Sequence, residues 1–318
     1  MGQFGNGFSP IELFRLGLFL GAITLAYWLT LRWCIEWARG TVPRSPFARF
    51  FQRGVIGVPL IGLAILGVVC MGYGFLVEPG RLAVKTYRID TRKIPAGEQV
   101  RIVHLADLHV RGTGPRERRL PELVQSLAPD VILHSGDFFA RKHELEPVVV
   151  ELLRSWDTPQ FTCKGNLDIL ADFDRAMKEA GVRALNGDSV TETFGTARLT
   201  ITGFPSGADH LMPEVLRGLP SDTFNIVLYH HPQGFPKTWN TPVDLMLAGH
   251  THGGQVRLPW YGALVTLDRY GKRWESGFYE ENGVKLIVSR GLGCEPFAPE
   301  VRFLCAPEVI VIDLVGTG

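Results

Sequence analysis

The stretch Leu247-Ala248-Gly249-His250-Thr251-His252-Gly253-Gly254-Gln255 sets two imidazoles two residues apart among three glycines. Alternate residues of an extended loop project to the same side, and neutral imidazole is a common metal ligand, so His250 and His252 can reach ions in one small site. Two loop histidines are equally compatible with ordinary hydrogen-bonded side chains. The pair gains meaning from four other apolar runs that end in the same kinds of ligand. Val100 to Leu105 runs out into Asp107 and His109, Val131 to Ser135 into Gly136-Asp137, Gln160 to Lys164 into Gly165-Asn166, and Asn225 to Tyr229 into His230-His231. Carboxylate oxygen, amide oxygen and imidazole nitrogen together suit Zn²⁺, Mn²⁺ or Fe rather than Ca²⁺. Buried side by side, Asp107 and Asp137 would repel, and divalent cations supply a reason for them to converge.

The elements that must position these groups follow from hydrophobic periodicity. From Glu98 onward, apolar β-branched runs alternate with amphipathic stretches, which is the pattern of sheet covered by helices. Helices are expected at 115–128, through Leu120, Leu123 and Leu127, at 145–156 and at 169–180. Arg183 to Phe204 reads as a β meander turning at Gly195. Residues 243–248, Val284 to Ser289 and Val309 to Leu314 supply further strands. Strand ends are where open α/β sheets hold ligands, and Gly136, Gly165 and Gly249 each precede a candidate ligand where the backbone must turn sharply. His104 and His134 lie inside strands and read as core residues.

Ahead of this region lie two uncharged segments. Leu16 to Leu31 is bounded by Arg15 and Arg32, and Gly54 to Val77 spans roughly 36 Å as a helix, enough for a hydrocarbon core of about 30 Å. A transmembrane hairpin is expected. The first segment lacks the basic start and small-residue cleavage site of a signal peptide, and the second is too long and too clean for an ordinary core helix. This divides the chain into a membrane anchor over 1–80 and a catalytic domain over 81–318. Arg39, Arg44, Arg49 and Arg53 in the connecting loop place that loop in the cytoplasm and the catalytic domain outside. Arg81, Lys85, Arg88, Arg92 and Lys93, read as a solvated linker after the second segment, weigh the other way. Over all 318 residues, 33 basic and 32 acidic side chains give a formal charge of +1, no basis for nucleic-acid binding. Five cysteines without paired spacing speak against a disulfide framework and against a cysteine-based zinc site.

Asp107-Leu108-His109, Gly136-Asp137, Gly165-Asn166-Leu167-Asp168, His230 and Gly249-His250-Thr251-His252, in that order, resemble the signature of the calcineurin-like metallophosphoesterase superfamily over about residues 78–316. Gly253 to Pro259 and Ser289 to Gly293 resemble its membrane-anchored bacterial branch, which fits the hairpin and a bacterial inner or plasma membrane. The resemblance implies a four-layer αββα sandwich, an α/β fold, with two divalent metal ions (Mn, Zn or Fe). It implies that Asp107, His109 and His252 hold one ion, that Asn166, His230 and His250 hold the other, and that Asp137 bridges both. Such a pair lowers the pKa of a shared water and neutralises phosphoryl charge, so a phosphodiester or pyrophosphate bond is hydrolysed without a covalent nucleophile.

One position departs from the pattern, since the family usually carries His where this chain has Leu167. Leucine can neither protonate a leaving group nor steady a transition state. Either the leaving group is already a weak base, as in a pyrophosphate, or another group substitutes, with His231, Lys164 and Arg141 as candidates, or the domain is a non-catalytic metal-binding membrane scaffold. Catalytic roles are therefore expected for Asp137, Asn166 and His231. The hairpin places the site near lipid, so the expected partner is a phosphorylated, lipid-linked or envelope substrate. One specific form is UDP-2,3-diacylglucosamine of lipid A synthesis, which requires a cytoplasmic site. Trp260, Tyr261, Trp274, Phe278, Phe297 and Phe303 either line an acyl groove or belong to the core.

Overall fold

The computed structural model describes residues 9–39, 46, 57–140, 146–170 and 172–317. Arg44, Arg49 and Arg53 of the connecting loop, the first residues of the second apolar segment and Arg141 lie outside the described residues.

Helix α1 spans Pro10–Ala38, and its start is fixed by Pro10 in the first turn and by a capping box in which Ser9 and Glu12 satisfy each other's backbone N–H. Helix α2 spans Gly57–Leu76. Both helices are strongly apolar, yet almost none of their apolar residues is buried in the chain. Side chains such as Phe14, Leu18, Leu63 and Val69 point outward with no protein core to cover them. Both helices are thus long and apolar enough to cross a membrane, and their exposed apolar faces set them apart from the buried helix of a soluble core. The Tyr27 hydroxyl donates to the Ala64 carbonyl at 3.0 Å and ties the helices together.

The remainder is built on two six-stranded sheets. The first contains β1 (Ala83–Thr91), β2 (Gln99–Leu105), β3 (Val131–His134), β4 (Gln160–Thr162), β5 (Arg183–Ala184) and the last strand, β14 (Glu308–Gly316), in the order β1-β14-β2-β3-β4-β5. The second contains β6 (Ser189–Phe194), β7 (Ala197–Phe204), β8 (Phe224–Tyr229), β9 (Leu245–Ala248), β12 (Gly277–Glu281) and β13 (Val284–Val288), in the order β12-β13-β9-β8-β7-β6. A short ribbon pairs β10 (Arg257–Leu258) with β11 (Gly262–Ala263).

Period-two alternation sorts the side chains into three cores. Ile102, Leu133, Ile226, Leu228, Leu247 and Ile312 meet between the sheets. Val103, Leu105 and Ile132 face the other way, against helices α3 (Pro115–Ser126), α4 (Glu146–Arg154) and α5 (Phe173–Ala180). Val227, Tyr229 and Met246 pack outward against α6 (Met212–Arg217), Phe235 and Trp274. Three cores between four layers give the αββα sandwich.

Two expectations are corrected. The stretch 183–204 is not one meander: β5 adds to the first sheet beside β4, whereas β6 and β7 form a hairpin around Gly195 at the edge of the second. Alternation marks a strand but does not say which sheet it joins. The basic stretch after the hairpin is not a linker either, because Ala83–Thr91 is edge strand β1, parallel to β14 with Tyr87 opposite Ile312. Its lysine and arginine side chains are those an edge strand uses to discourage further pairing. Helix α6, strand β12 and the β10–β11 ribbon were not foreseen.

Candidate metal centre

Every candidate ligand follows the C-terminal end of β2, β3, β4, β8 or β9. Neighbouring loops are bonded to one another: Asp107 N–H donates to the Gly136 carbonyl at 3.0 Å, His109 N–H to Asp137 at 3.1 Å, and Gly249 N–H to His230 at 3.0 Å. Asp107, His109, Asp137, His250 and His252 all have positive φ, from 38° to 69°. Such backbone costs roughly 1–3 kcal/mol per residue and persists only where its surroundings over-determine it. The glycines were expected to make the sharp turns; of the three, Gly136 does, with φ +94°. Gly249 is needed for close approach instead, since a Cβ there would stand 2.5 Å from Asp107 Oδ2, and one on Gly165 would collide with Asp137 Oδ1.

The ligand atoms of Asp107, His109 and His252 lie within 4.8 Å of one another, as do those of Asp107, Asp137 and His230. Asp137 Oδ2 is 3.2 Å from His230 Nε2 and 3.7 Å from His109 Nε2, and so touches both groups. His109 Nδ1–H donates to the Phe139 carbonyl at 3.2 Å and His230 Nδ1–H to the Ser135 carbonyl at 2.9 Å. These bonds turn both Nε2 atoms inward as potential ligands, the usual outer-shell arrangement of metal-binding histidine. His109 Nε2 and His252 Nε2 stand 3.3 Å apart, about the spacing of two nitrogens on one ion. His250 is oriented the opposite way, its Nε2–H donating to the Leu267 carbonyl at 3.2 Å, which leaves Nδ1 for the site. Its ring lies against that of His230, with centroids 5.1 Å apart. Asn166 Oδ1 is buried with no hydrogen-bond partner among the described residues, an acceptor that a cation would satisfy.

The electrostatics point the same way. Burial pushes the Asp107 carboxyl up to about 7, with Asp137 adding to the rise and His230 opposing it. At His230, burial disfavours a charged ring, but the facing carboxylates of Asp137 and Asp107 overcome it and lift the pKa to about 10. Burial would also raise Asp137, yet His230 and His109 hold it well below the usual carboxylate range. The carboxylates thus demand positive charge at this point, and a proton on His230 meets that demand when no cation does. Burial lowers His109 to about 4 and His250 to about 3, keeping both neutral and fit to bind metal.

Not every expected residue joins this cluster. His231 bonds Ser206 Oγ through Nε2 at 2.7 Å and its ring lies tilted against that of His250, with centroids 4.1 Å apart, so it buttresses a candidate ligand. Lys164 holds its ammonium over the Phe173 ring, 5.3 Å from the centroid. Leu167 is buried, and its backbone N–H donates to Asp137 Oδ1 at 2.8 Å. His104 and His134 are core residues as expected, bonded to Ser135 and Gln160. Three contributors were missed. Asp168 accepts the N–H groups of Asp137, Phe138 and Gly165, all at 2.8 Å. Arg302, fully buried, donates to the carbonyls of Arg290, Gly291 and Gly293, and so fixes the turn that lies against Asp107. Glu295 brings Oε2 to 3.9 Å from His252 Nε2. Of these, Asp168 alone carried a sequence signal, as the last residue of the Gly-Asn-Leu-Asp block.

A two-sheet sandwich with carboxylates and histidines gathered at its strand ends defines a metal-dependent hydrolase. Residues 100–254 match the calcineurin-like phosphoesterase family, and a Bacillus subtilis metallophosphoesterase, YkuE, is 30% identical over 290 residues, covering 85% of this chain and 98% of that protein. The chain belongs to the calcineurin-like phosphoesterase family and is a metal-dependent phosphoester hydrolase. It is also similar to the phosphodiesterase YaeI of Escherichia coli, at 27% identity over 77% of this chain and 92% of that one. To the UDP-2,3-diacylglucosamine pyrophosphatase LpxG of Chlamydia trachomatis it is 26% identical, over 67% of this chain and 83% of that one.

Proposed function

We propose that this protein is a membrane-anchored phosphoesterase that hydrolyses a phosphodiester or pyrophosphate bond in a lipid-linked substrate, with residues 1–80 as anchor and 81–318 as catalytic domain. The observation that carries this reading is the meeting of Asp107, His109, Asp137, His230 and His252 within a few ångströms of one another at the mouth of a sandwich whose first residues form an apolar hairpin. In this reading Asp107, His109 and His252 would hold one divalent ion, Asn166, His230 and His250 would hold the other, and Asp137 would serve both. When bound, the ions supply a Lewis acid that activates water and neutralises phosphoryl charge. The residues hold that charge in place: the outward ring N–H groups of His109, His230 and His250 are spent on carbonyls, so the inner nitrogens cannot rotate away.

Leu167 selects among substrates. An apolar side chain at this position offers no proton to a departing alkoxide, which favours leaving groups that depart as stable anions, such as a nucleoside phosphate. The surroundings suit an amphipathic substrate. Phe297 is exposed two residues from Glu295, which faces His252, and Trp260 and Tyr261 are exposed at the tip of the β10–β11 ribbon. Arg15 of α1 lies 5.9 Å over the Tyr261 ring, a pairing of cation and aromatic ring that suits the headgroup region of a bilayer. Trp274, by contrast, is core.

The similarity to the chlamydial pyrophosphatase favours one specific form, cleavage of the pyrophosphate of a nucleotide-linked diacyl sugar. That form needs a cytoplasmic catalytic domain, whereas the arginines of the connecting loop favour an extracytoplasmic one. Reporter fusions at the C-terminus separate the two, and an external reporter removes the nucleotide-linked form. The general reading is tested with purified full-length protein and Mn²⁺ on a panel of monoesters, diesters and nucleotide-linked lipids, beside Asp137→Asn. Hydrolysis lost on chelation and in the variant supports it. Metal-independent turnover, or none on any member, refutes it.

A further inference from the structure

Two carboxylates of the hairpin region reach into the catalytic domain. Glu12, in the first turn of α1, and Glu78, just beyond α2, are each only 3% exposed. Each accepts two hydrogen bonds from a loop of the catalytic domain more than two hundred residues away. Glu12 Oε1 accepts the Thr266 N–H at 2.8 Å and the Thr266 hydroxyl at 3.1 Å, while Oε2 accepts the Ser9 N–H at 3.0 Å. Glu78 Oε1 accepts the Cys305 N–H at 2.6 Å and Oε2 the Leu304 N–H at 2.8 Å.

Each loop then meets one histidine of the Gly-His-Thr-His turn. Thr266 precedes Leu267, whose carbonyl holds His250 Nε2 at 3.2 Å. Cys305 donates its thiol to the His252 carbonyl at 3.2 Å, and its sulfur stands 2.9 Å from where a Cβ on Gly253 would lie. Each loop also sets a leucine in left-handed backbone, Leu267 with φ 55° and Leu304 with φ 52°. Leucine does not hold that conformation unless its neighbours are pinned. In both loops a buried glutamate from the hairpin region pins the adjoining peptide.

We propose that the hairpin is a working part of the metal centre: Glu12 and Glu78 are positioning residues, Glu12 fixing His250 through the 266–267 loop and Glu78 fixing His252 through the 304–305 loop. This rests on the reading of His250 and His252 as ligands of different ions. It follows that the two glutamates govern different ions, and that the anchor does more than hold the enzyme at the bilayer.

The test uses full-length protein in detergent, with metal affinity measured by chelator competition and the ligand field read from the visible bands of bound Co²⁺. Glu12→Ala is expected to weaken one of two equivalents about tenfold or more, the scale found when an outer partner of a metal-binding histidine is removed, and to shift the Co²⁺ bands. Glu12→Gln keeps an amide oxygen for Thr266 and is expected to restore most of that affinity. Glu78→Ala is expected to weaken the other equivalent. Glu78→Gln, with one acceptor for two N–H groups, does not rescue it. Thr266→Val removes only the hydroxyl, leaves the α1 cap intact and is expected to shift the same equivalent as Glu12→Ala, which covers the case that the helix variant does not fold. Arg32→Gln, in an exposed pair on α1, is expected to change nothing. Both equivalents unchanged in affinity and spectrum in the alanine variants overturns the inference while leaving the metal centre intact. A wild-type chain that binds no divalent ion overturns the metal centre itself, and this inference with it.

Discussion

Asp168 receives the backbone N–H of Asp137 at 2.8 Å, so one buried carboxylate holds in place the peptide that carries the other. The same group takes Phe138 N–H and Gly165 N–H, and with three donors on two oxygens it sets the path of both the β3 and the β4 loops. Asp168→Ala leaves three buried N–H groups unpaired. At about 1–3 kcal/mol for each unsatisfied group, less whatever the loops recover by relaxing, a loss on the order of 3–5 kcal/mol is expected in denaturant unfolding. Asp168→Asn keeps one oxygen for two of the three donors and is expected to lose less. Equal stability of the alanine variant and the wild type would show that the loops hold themselves.

Removing metal is expected to make stability sensitive to alkali. His230 is raised from 6.5 to about 10 by Asp137 and Asp107 against the opposing effect of burial. A raised folded-state pKa gives stability that is fully present below 6.5 and is lost as pH rises through about 10. With divalent ions in place the carboxylates no longer depend on that proton. Unfolding midpoints measured from pH 7 to 10 should therefore fall in chelator and stay nearly level with Mn²⁺, and His230→Gln should flatten the chelated curve. Parallel curves with and without metal would separate the proton on His230 from the metal site.

His134 makes a case for acid sensitivity away from the site. Burial lowers its pKa from 6.5 to about 4, against a favourable bond to Gln160. A depressed folded-state pKa gives stability present above 6.5 and lost as pH falls toward 4, worth about 3 kcal/mol for one fully buried ring. His134→Gln can still donate to Gln160 Oε1 and does not titrate, so it should reduce the slope of unfolding free energy against pH between 4 and 6.5 by about one proton. The slope that remains belongs to the other buried histidines, and an unchanged slope would mean that His134 is already solvated.

How far the sequence foretold this protein varies with the range of the interaction. The strands and the five blocks of candidate ligands at their ends were legible because alternation and strand-end chemistry are local, and so was the pair of apolar helices, from length and apolarity alone. Strand β5 was assigned to the wrong partner because pairing is decided between residues distant in the chain. Edge strand β1 was hidden by its charges, which match a linker as well as an edge. Arg302, Glu12 and Glu78 left no mark at all, since each acts on backbone groups that only the fold brings near. Asp168 was visible as a residue, but its three N–H partners were not.

Restoring an imidazole at position 167 tests what Leu167 does. The Leu167 N–H already serves Asp137 Oδ1, and that bond survives any substitution that keeps the backbone in place. Leu167→His therefore alters the side chain beside the site without removing a bond that holds it. If the wild-type enzyme lacks a proton donor there, an imidazole should help most where the leaving group is a poor one, such as an alkoxide, and least where it is a phosphate anion. General acid catalysis is worth about 10²–10⁴ when well placed; an imidazole set down in a site shaped for leucine is expected to recover the lower part of that range on alkyl phosphodiesters, about tenfold to a hundredfold in kcat. Little change is expected on a pyrophosphate. Equal gains on both classes would point to better substrate positioning, and a loss on both would mean that the apolar side chain is itself part of the substrate's pocket.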